Sequence, residues 1–590
     1  FLNDYMQQNP TCNDDMIDEI LNSRIREDEV HASIKSLKTG KSAGIDGIPP
    51  EFYKTLVDTL AKPITLLFNY IIEKKQYPED WAQGLITMIH KKGSKMDPSN
   101  YRKLTVQSIL PKIFEITVLN RLQFIADAFG TQDPYNGGFK KNSCTADNMF
   151  ILNGCIEKYK NLNQPLFVCF VDFKEAFPSV NRSLLFYKLI KGGLQGGIMQ
   201  VLIDMYQKTK SFVKLDNVLS HVIKETFGVN QGGVMSPYLF TEYLKDLCKY
   251  LRNNGVFISE AEILNYILWA DDLILLSTST TGLQSLLDDL YTYCTKWHLI
   301  INIQKTKIIV FNKKKINDCT FHINGKMIEI VDEYKYLGCV FSNKNSNGPL
   351  VEQLLCSARK AIFKTYQYMK PYGQNLPKLS CHLFDTLVKP ILEYGSEVWF
   401  QKVNTDKIDI LERDFLKSVL SIRKQSPNIS VYGEFGRIPI SYIIKLKAIK
   451  YYIRIKNLAD SSIVKQVLNT SIYYDSMGYV TWYTHIRKLF SELGLDELIN
   501  IDAPPKLTVH LKEKLKRLIH YKYCKEWENI DTTNNTKMHT YRSFKTKLAF
   551  EPYLMLKHEK MRKAIARFRT SSHNLSIERG RYTRPVTPRD

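Results

Sequence analysis

Apolar residues recur at helical spacing from Asp14 to Leu37, at Ile17, Ile20, Leu21, Ile34 and Leu37, and this spacing predicts helix. Gly and Pro in Lys41-Ser-Ala-Gly-Ile-Asp-Gly-Ile-Pro-Pro50 break the pattern and predict a loop. Helices are expected over 51–75, 111–129 and 145–159, and a short strand over 85–89 with a turn at 91–94. Leu166-Phe-Val-Cys-Phe-Val-Asp172 differs in kind: it is an unbroken apolar run of β-type residues that ends in a carboxylate. Residues 204–206 sit on a helix, 212–215 and 222–227 read as paired strands, and 234–254 as helix. Positions 263–276 predict strand, turn, strand, interrupted only by Asp271-Asp272. Helix over 283–297 and strand over 308–311 follow. After about residue 345 the pattern turns helical, over 350–370, 376–400, 405–421, 440–469, 478–493, 507–529 and 540–566.

Two adjacent carboxylates inside apolar flanks need a reason. The plain one is turn chemistry at a hairpin tip. The alternative is a divalent cation, because charges among apolar strands are costly unless neutralised. A second apolar strand ends at Asp172. Side by side, the two strands would gather Asp172, Asp271 and Asp272 at one sheet edge. Three carboxylates and two metal ions suit in-line phosphoryl transfer.

The 590 residues are globular in composition, 44% hydrophobic and 24% charged, and their number suggests about three or four domains. No apolar run is long enough for a membrane span, and no secretory signal opens the chain. Phe1 stands first rather than Met, so the sequence reads as a piece of a longer product. Eleven cysteines with no Cys-x-x-Cys pair argue against a disulfide framework or zinc module and for a reducing compartment. The net charge of +22 points to a polyanionic partner. It is unevenly placed: residues 1–50 carry five Lys/Arg against nine Asp/Glu, and residues 505–590 carry 21 against eight, 13 in excess. Aromatics such as Tyr521, Trp527, Tyr541 and Phe568 are interleaved there, a mixture suited to single-stranded nucleic acid.

Three stretches together carry a family likeness. Val171-Asp-Phe-Lys-Glu-Ala-Phe177, Gln231-Gly-Gly-Val-Met-Ser-Pro237 and Trp269-Ala-Asp-Asp272 resemble, in order and spacing, the central palm motifs of reverse transcriptases. The branch most resembled is that of non-LTR (LINE-type) retrotransposons. Lys41–Ile48, Lys91–Arg102, Gly138–Ser143, Trp297 with Asn302–Thr306, and Glu333–Gly338 resemble further motifs of that branch. So do Leu387–Trp399 and Arg567–Ser571, and the likeness runs from about residue 15 to the end.

The resemblance implies an α+β, right-hand polymerase fold of fingers, palm and thumb, with an antiparallel palm sheet and a helical C-terminal region. It implies an N-terminal extension over 1–70, fingers and palm over 71–342, thumb and connector over 343–470, and a basic nucleic-acid-binding region over 471–590. Asp172, Asp271 and Asp272 would hold two Mg²⁺ ions, with Mn²⁺ able to substitute. Phe177 would exclude a ribonucleotide's 2′-OH. Arg102, and less directly Lys92 or Lys91, would clamp the triphosphate. Gln231 and Gly232 would lie at the nascent base pair, and Lys305 would protonate pyrophosphate.

The implied partners are an RNA template, a DNA primer or target DNA, and dNTPs, with no membrane. The implied location is nucleus and cytoplasm, as a ribonucleoprotein. The implied activity is RNA-directed DNA synthesis from a nicked target end. The endonuclease domain and the C-terminal Cys/His motif common in these elements are expected to be missing from this piece. Departures from the pattern are Trp269 for the usual Tyr or Phe, Pro178 for Asp, and Gly233 for Cys or Asp. Two other readings stay open: a catalytically inactive or domesticated binding protein that keeps the fold, and an RNA-copying RNA replicase.

Overall fold

A computed structural model describes residues 14–91, 93–215, 218–259, 262–312, 319–344, 348–370, 376–401, 405–500, 508–529 and 536–573. Lys92 and the tail after His573 lie outside the described residues.

The apolar run Leu166–Val171 forms a strand buried along its whole length. It is the middle of a five-stranded sheet ordered Glu329–Ile330, Lys307–Phe311, Leu166–Val171, Asp272–Ser277, Tyr266–Trp269. Both of its neighbours run antiparallel to it, with Leu273 opposite Val171 and Lys307 opposite Phe170. The expectation of an antiparallel sheet fails only at one edge, where Glu329–Ile330 runs parallel to Lys307–Phe311.

Side chains alternate along a strand, and here the alternation divides two cores. Phe167, Cys169 and Val171, with Leu273, Leu275, Ile308 and Val310, pack onto the helices Ser236–Leu244, Thr280–Lys296 and Ile109–Ala128. Leu166, Val168 and Phe170, with Ile274, Leu276 and Ile309, pack onto the helix Thr145–Asn161. That second core runs on through Trp399, Tyr452, Trp482, Trp527 and Tyr541 to Ala566. The helical C-terminal region is therefore continuous with the core on one face of this sheet.

A second sheet stands ahead of the first. Gln83–His90 pairs antiparallel with Tyr101–Gln107, placing Ile89 opposite Arg102, and parallel with Lys210–Leu215. Lys210–Leu215 then takes Ile223–Lys224 on its other side.

Several expected helices are broken, for visible reasons. Asp14–Leu37 forms two helices, Asp14–Asn22 and Glu27–Ser36. The buried Arg121 guanidinium donates to the carbonyls of Leu21 and Arg24, at 2.9 and 3.1 Å, so the first helix stops with its end satisfied. The expected helix over 376–400 passes through a π turn at Phe384–Val388 before Pro390, which has no N–H to give, and breaks again at Gly395 with φ +67°. The 440–469 stretch divides into Ile440–Lys456 and Ile463–Ser476, 540–566 into Thr536–Phe544 and Glu559–Arg569, and 234–254 shortens to a helix over Ser236–Leu244. No helix among the described residues is long and apolar enough to cross a membrane.

Candidate active site

The sheet edge gathers the three aspartates. Asp172 follows Val171 directly. Asp271 lies in the turn joining Tyr266–Trp269 to Asp272–Ser277, and Asp272 opens the second of these strands, paired with Trp269. The turn is tight: Ala270 takes φ +58°, a left-handed conformation that a small side chain accepts more readily than a branched one.

A platform fixes this turn from below. Leu268 N–H donates to Tyr135 O at 3.0 Å, and Gly137 N–H donates back to Leu268 O at 2.9 Å. Asn148 Nδ2 reaches the same carbonyl at 3.0 Å. A Cβ on Gly137 would stand 2.9 Å from the Trp269 ring, and one on Gly138 would overlap the Ala270 backbone. Trp269, the bulky departure in the motif, is thus received by a glycine. Pro178, the second departure, packs likewise on Gly228, where a Cβ would come within 2.7 Å of Pro178 Cα.

Asp172 is held from the segment 302–306. Asn302 Nδ2 donates to Asp172 Oδ2 at 3.0 Å, and Lys305 Nζ lies 3.5 Å from the same oxygen. Asn302 N–H donates to Asp172 O at 2.7 Å, and Asp172 N–H to Thr306 Oγ1 at 3.3 Å. Burial, and then the negative charge of Asp172, pushes the Asp271 carboxyl up, while Arg102 opposes the rise. Burial, Asp271 and Asp172 together push Asp272 up to about 6. Both residues are solvent-exposed at the turn, flanked by the buried positions 266–268 and 273–277. The mutual repulsion is what the strand register directly dictates. Among the described residues no three His, Cys, Asp or Glu side chains converge to hold a metal ion. Lys305 and Asn302 occupy Asp172 Oδ2 instead.

Arg102 is exposed on Tyr101–Gln107, and its charge is felt at Asp271. Gln231 and Gly232 back the same strand: Thr105 N–H donates to Gln231 O at 2.8 Å, and Gly232 takes φ +110° where a Cβ would stand 2.7 Å from Thr105 O. Phe177 is half-buried, stacked on Phe240 at 4.7 Å and 18°. The structure thus brings Asp172, Asp271, Asp272, Lys305 and Arg102 into one electrostatic neighbourhood, with Phe177, Gln231 and Gly232 on elements that adjoin it.

Sequence reasoning gave no role to Asn302 or Tyr334. Asn302 lies inside a quoted motif, which was the available signal. Tyr334 stacks on Phe170 at 4.4 Å and 20°, and its phenol is pushed up to about 12, first by burial and then by Asp172 and Asp272. A cavity of about 520 Å³ lies elsewhere, lined by Thr145, Met149, Lys389, Glu393, Tyr394 and Lys447. Its residues include none of the three aspartates.

Residues 89–341 match the family model described as Reverse transcriptase (RNA-dependent DNA polymerase). The match spans all three aspartates, Arg102 and Lys305, so the likeness to that family covers the whole candidate site. Curated relatives that the chain resembles include polymerases named for mobile elements. A probable RNA-directed DNA polymerase from transposon BS of Drosophila melanogaster is 27% identical over 414 residues, 67% of this chain and 44% of the relative. The RNA-directed DNA polymerase from mobile element jockey of the same species is 25% identical over 410 residues, again 67% and 44%. The chain therefore spans less than half the length of these relatives. A structure of apo telomerase from Candida tropicalis aligns at a TM-score of 0.33 with 15% identity, covering 51% of this chain and 61% of that one.

Proposed function

We propose that this chain copies RNA into DNA, extending a DNA primer with dNTPs by phosphoryl transfer at the Asp172–Asp271–Asp272 edge. The observation that carries the reading is the strand register that sets these three aspartates at one sheet edge, inside a segment matching the reverse transcriptase family. In a right-hand polymerase arrangement the forward sheet serves as fingers and the aspartate sheet as palm, together over 71–342. Residues 1–70 lead into the fingers, 343–470 form the thumb and connector, and 471–590 form a basic nucleic-acid-binding region.

Hard oxygen donors that raise one another's proton affinity fit a divalent cation, which would relieve the repulsion. Asp172, Asp271 and Asp272 would hold such ions, with Mg²⁺ as our assignment and Mn²⁺ as a substitute. When bound, they supply Lewis-acid stabilisation of attacking and leaving oxygens. Binding would draw Asp172 away from Lys305. The chain's own residues do the rest. Arg102, exposed beside Asp271, binds the triphosphate through its planar fork, with Lys92 assigned to the same end of the nucleotide. Phe177, clamped against Phe240, stands as a rigid wall where a 2′-OH would go. Gln231 and Gly232 let backbone approach the nascent pair. Lys305 Nζ is partnered with Asp172. This geometry supports neutralisation of that carboxylate more directly than proton delivery to pyrophosphate.

The RNA template, a DNA primer at a nicked target, and dNTPs are the partners this reading requires, in a ribonucleoprotein that works in nucleus and cytoplasm. The test is primer extension on poly(rA)/oligo(dT) with Mg²⁺ or Mn²⁺. Incorporation of dTTP that is lost in Asp271→Ala and Asp172→Ala is expected. No incorporation by the parent chain, or full activity in either variant, would overturn the reading.

A further inference from the structure

Phe139 has no role in the reading above, yet its conformation is unusual. It takes φ +61°, in the left-handed region that bulky residues rarely enter, and it is 48% exposed. Such a residue persists only where its surroundings over-determine it. They do so here. Gly138 N–H donates to the buried Asn136 Oδ1 at 2.8 Å, and Gly138 is pressed on the Ala270 backbone. Gly137 is tied to Leu268. The chain thus leaves the catalytic turn with no freedom, and the next side chain is the Phe139 ring.

That ring meets Phe177 edge-on, at 6.4 Å between centroids and 89° between planes. Phe177 is also stacked face to face on Phe240. A wall that excludes a hydroxyl must not yield. A half-buried phenylalanine with one stacked face can still swing away from that face. The edge-on Phe139 ring opposes that swing, and the residue before it, Gly138, is the one pressed on Ala270.

We infer that Phe139 is a specificity-determining positioning residue: it clamps Phe177 and thereby sets discrimination between deoxyribo- and ribonucleotides. The inference rests on the proposed polymerase reading and on the gate role of Phe177. It also ties sugar selection to the Asp271 turn, since one loop touches both.

The test uses the full chain and compares dTTP with UTP incorporation on poly(rA)/oligo(dT), as a ratio of kcat/KM values. Phe139→Gly suits the positive φ and removes the ring without threatening the fold, and Phe139→Leu keeps apolar bulk without the aromatic edge. Each should raise the UTP/dTTP ratio by about tenfold, within the range a single packing change gives, while dTTP incorporation changes little. In a Phe177→Ala background the same changes should add nothing, because they act through that ring. An unchanged ratio in both Phe139 variants, with a raised ratio in Phe177→Ala, would overturn this inference and leave the polymerase reading intact. An unchanged ratio in Phe177→Ala would remove the gate itself. Absence of dTTP incorporation by the parent chain would remove the reading beneath both.

Discussion

Asp271 and Asp272 occupy a tight turn, yet Asp271 raises the proton affinity of Asp272 there, and Asp172 that of both. A turn that served only the fold would be relieved by losing one charge. Asp272→Asn should therefore leave Tm unchanged or raise it, while dTTP incorporation falls by about a hundredfold or more, as the proposed metal-holding role of Asp272 requires. A fall in Tm equal to that of a core variant would show the carboxylate to be structural. Gly138→Ala should act in the opposite manner. Its Cβ would overlap backbone that cannot move without moving the turn, so a loss of about 2 kcal/mol and a parallel loss of activity are expected. Urea unfolding with an unchanged midpoint would contradict this. The three aspartates were legible because each ends or joins an apolar strand. Trp269 and Pro178 were legible only as departures. Their partners Gly137 and Gly228 are distant in sequence, and no local pattern announces which glycine receives which ring.

At the scale of elements, strands with unbroken apolar runs were legible, and Tyr101–Gln107 was not. Its sequence YRKLTVQ mixes charges into the strand, because one face meets solvent and presents Arg102. Helix breaks were hidden for a related reason. The periodicity of 14–37 continues across a gap that only Arg121, a hundred residues on, explains. The helix Ile109–Ala128 carrying Arg121 also buries Glu115, which accepts from Gln107 Nε2 at 2.8 Å. Burial pushes that carboxyl up to about 7, whereas an unfolded glutamate titrates near about 4.3. The folded chain thus binds this proton more tightly. The stabilisation is complete below about pH 4 and is lost as pH rises through about 7. Thermal unfolding should show Tm falling across that window, and Glu115→Gln should flatten the fall. An equal slope in the variant would assign the effect to another group.

For the whole molecule, the net charge of +22 is now located on surfaces. The helix Val509–Glu528 buries Leu515, Ile519, Tyr523 and Trp527 and exposes Lys514, Arg517, Tyr521 and Lys525 along the opposite side. Neither Lys514 nor Arg517 has an ion-pair partner among the described residues. Replacing both by Ala should weaken binding of single-stranded RNA and reduce the slope of log K against log salt by roughly 1.4, at about 0.7 per phosphate contact. Tm should hold, and an unchanged slope would make this a merely solvated face. The basic character of the C-terminal region was plain in the sequence, but its anchoring was not. The core that covers Leu166, Val168 and Phe170 is completed only by residues as late as Ala566. Positions 166 and 566 are 400 residues apart in the chain. At ribosomal speeds of about 5–20 residues per second, roughly 20–80 s separate emergence of the central strand from emergence of the last residue of that core. For that interval the face of the strand that ends in Asp172 rests on Thr145–Asn161, made before it, while the outer helical part of the same core lacks its last members, so the nascent chain is exposed to aggregation there until synthesis is nearly finished.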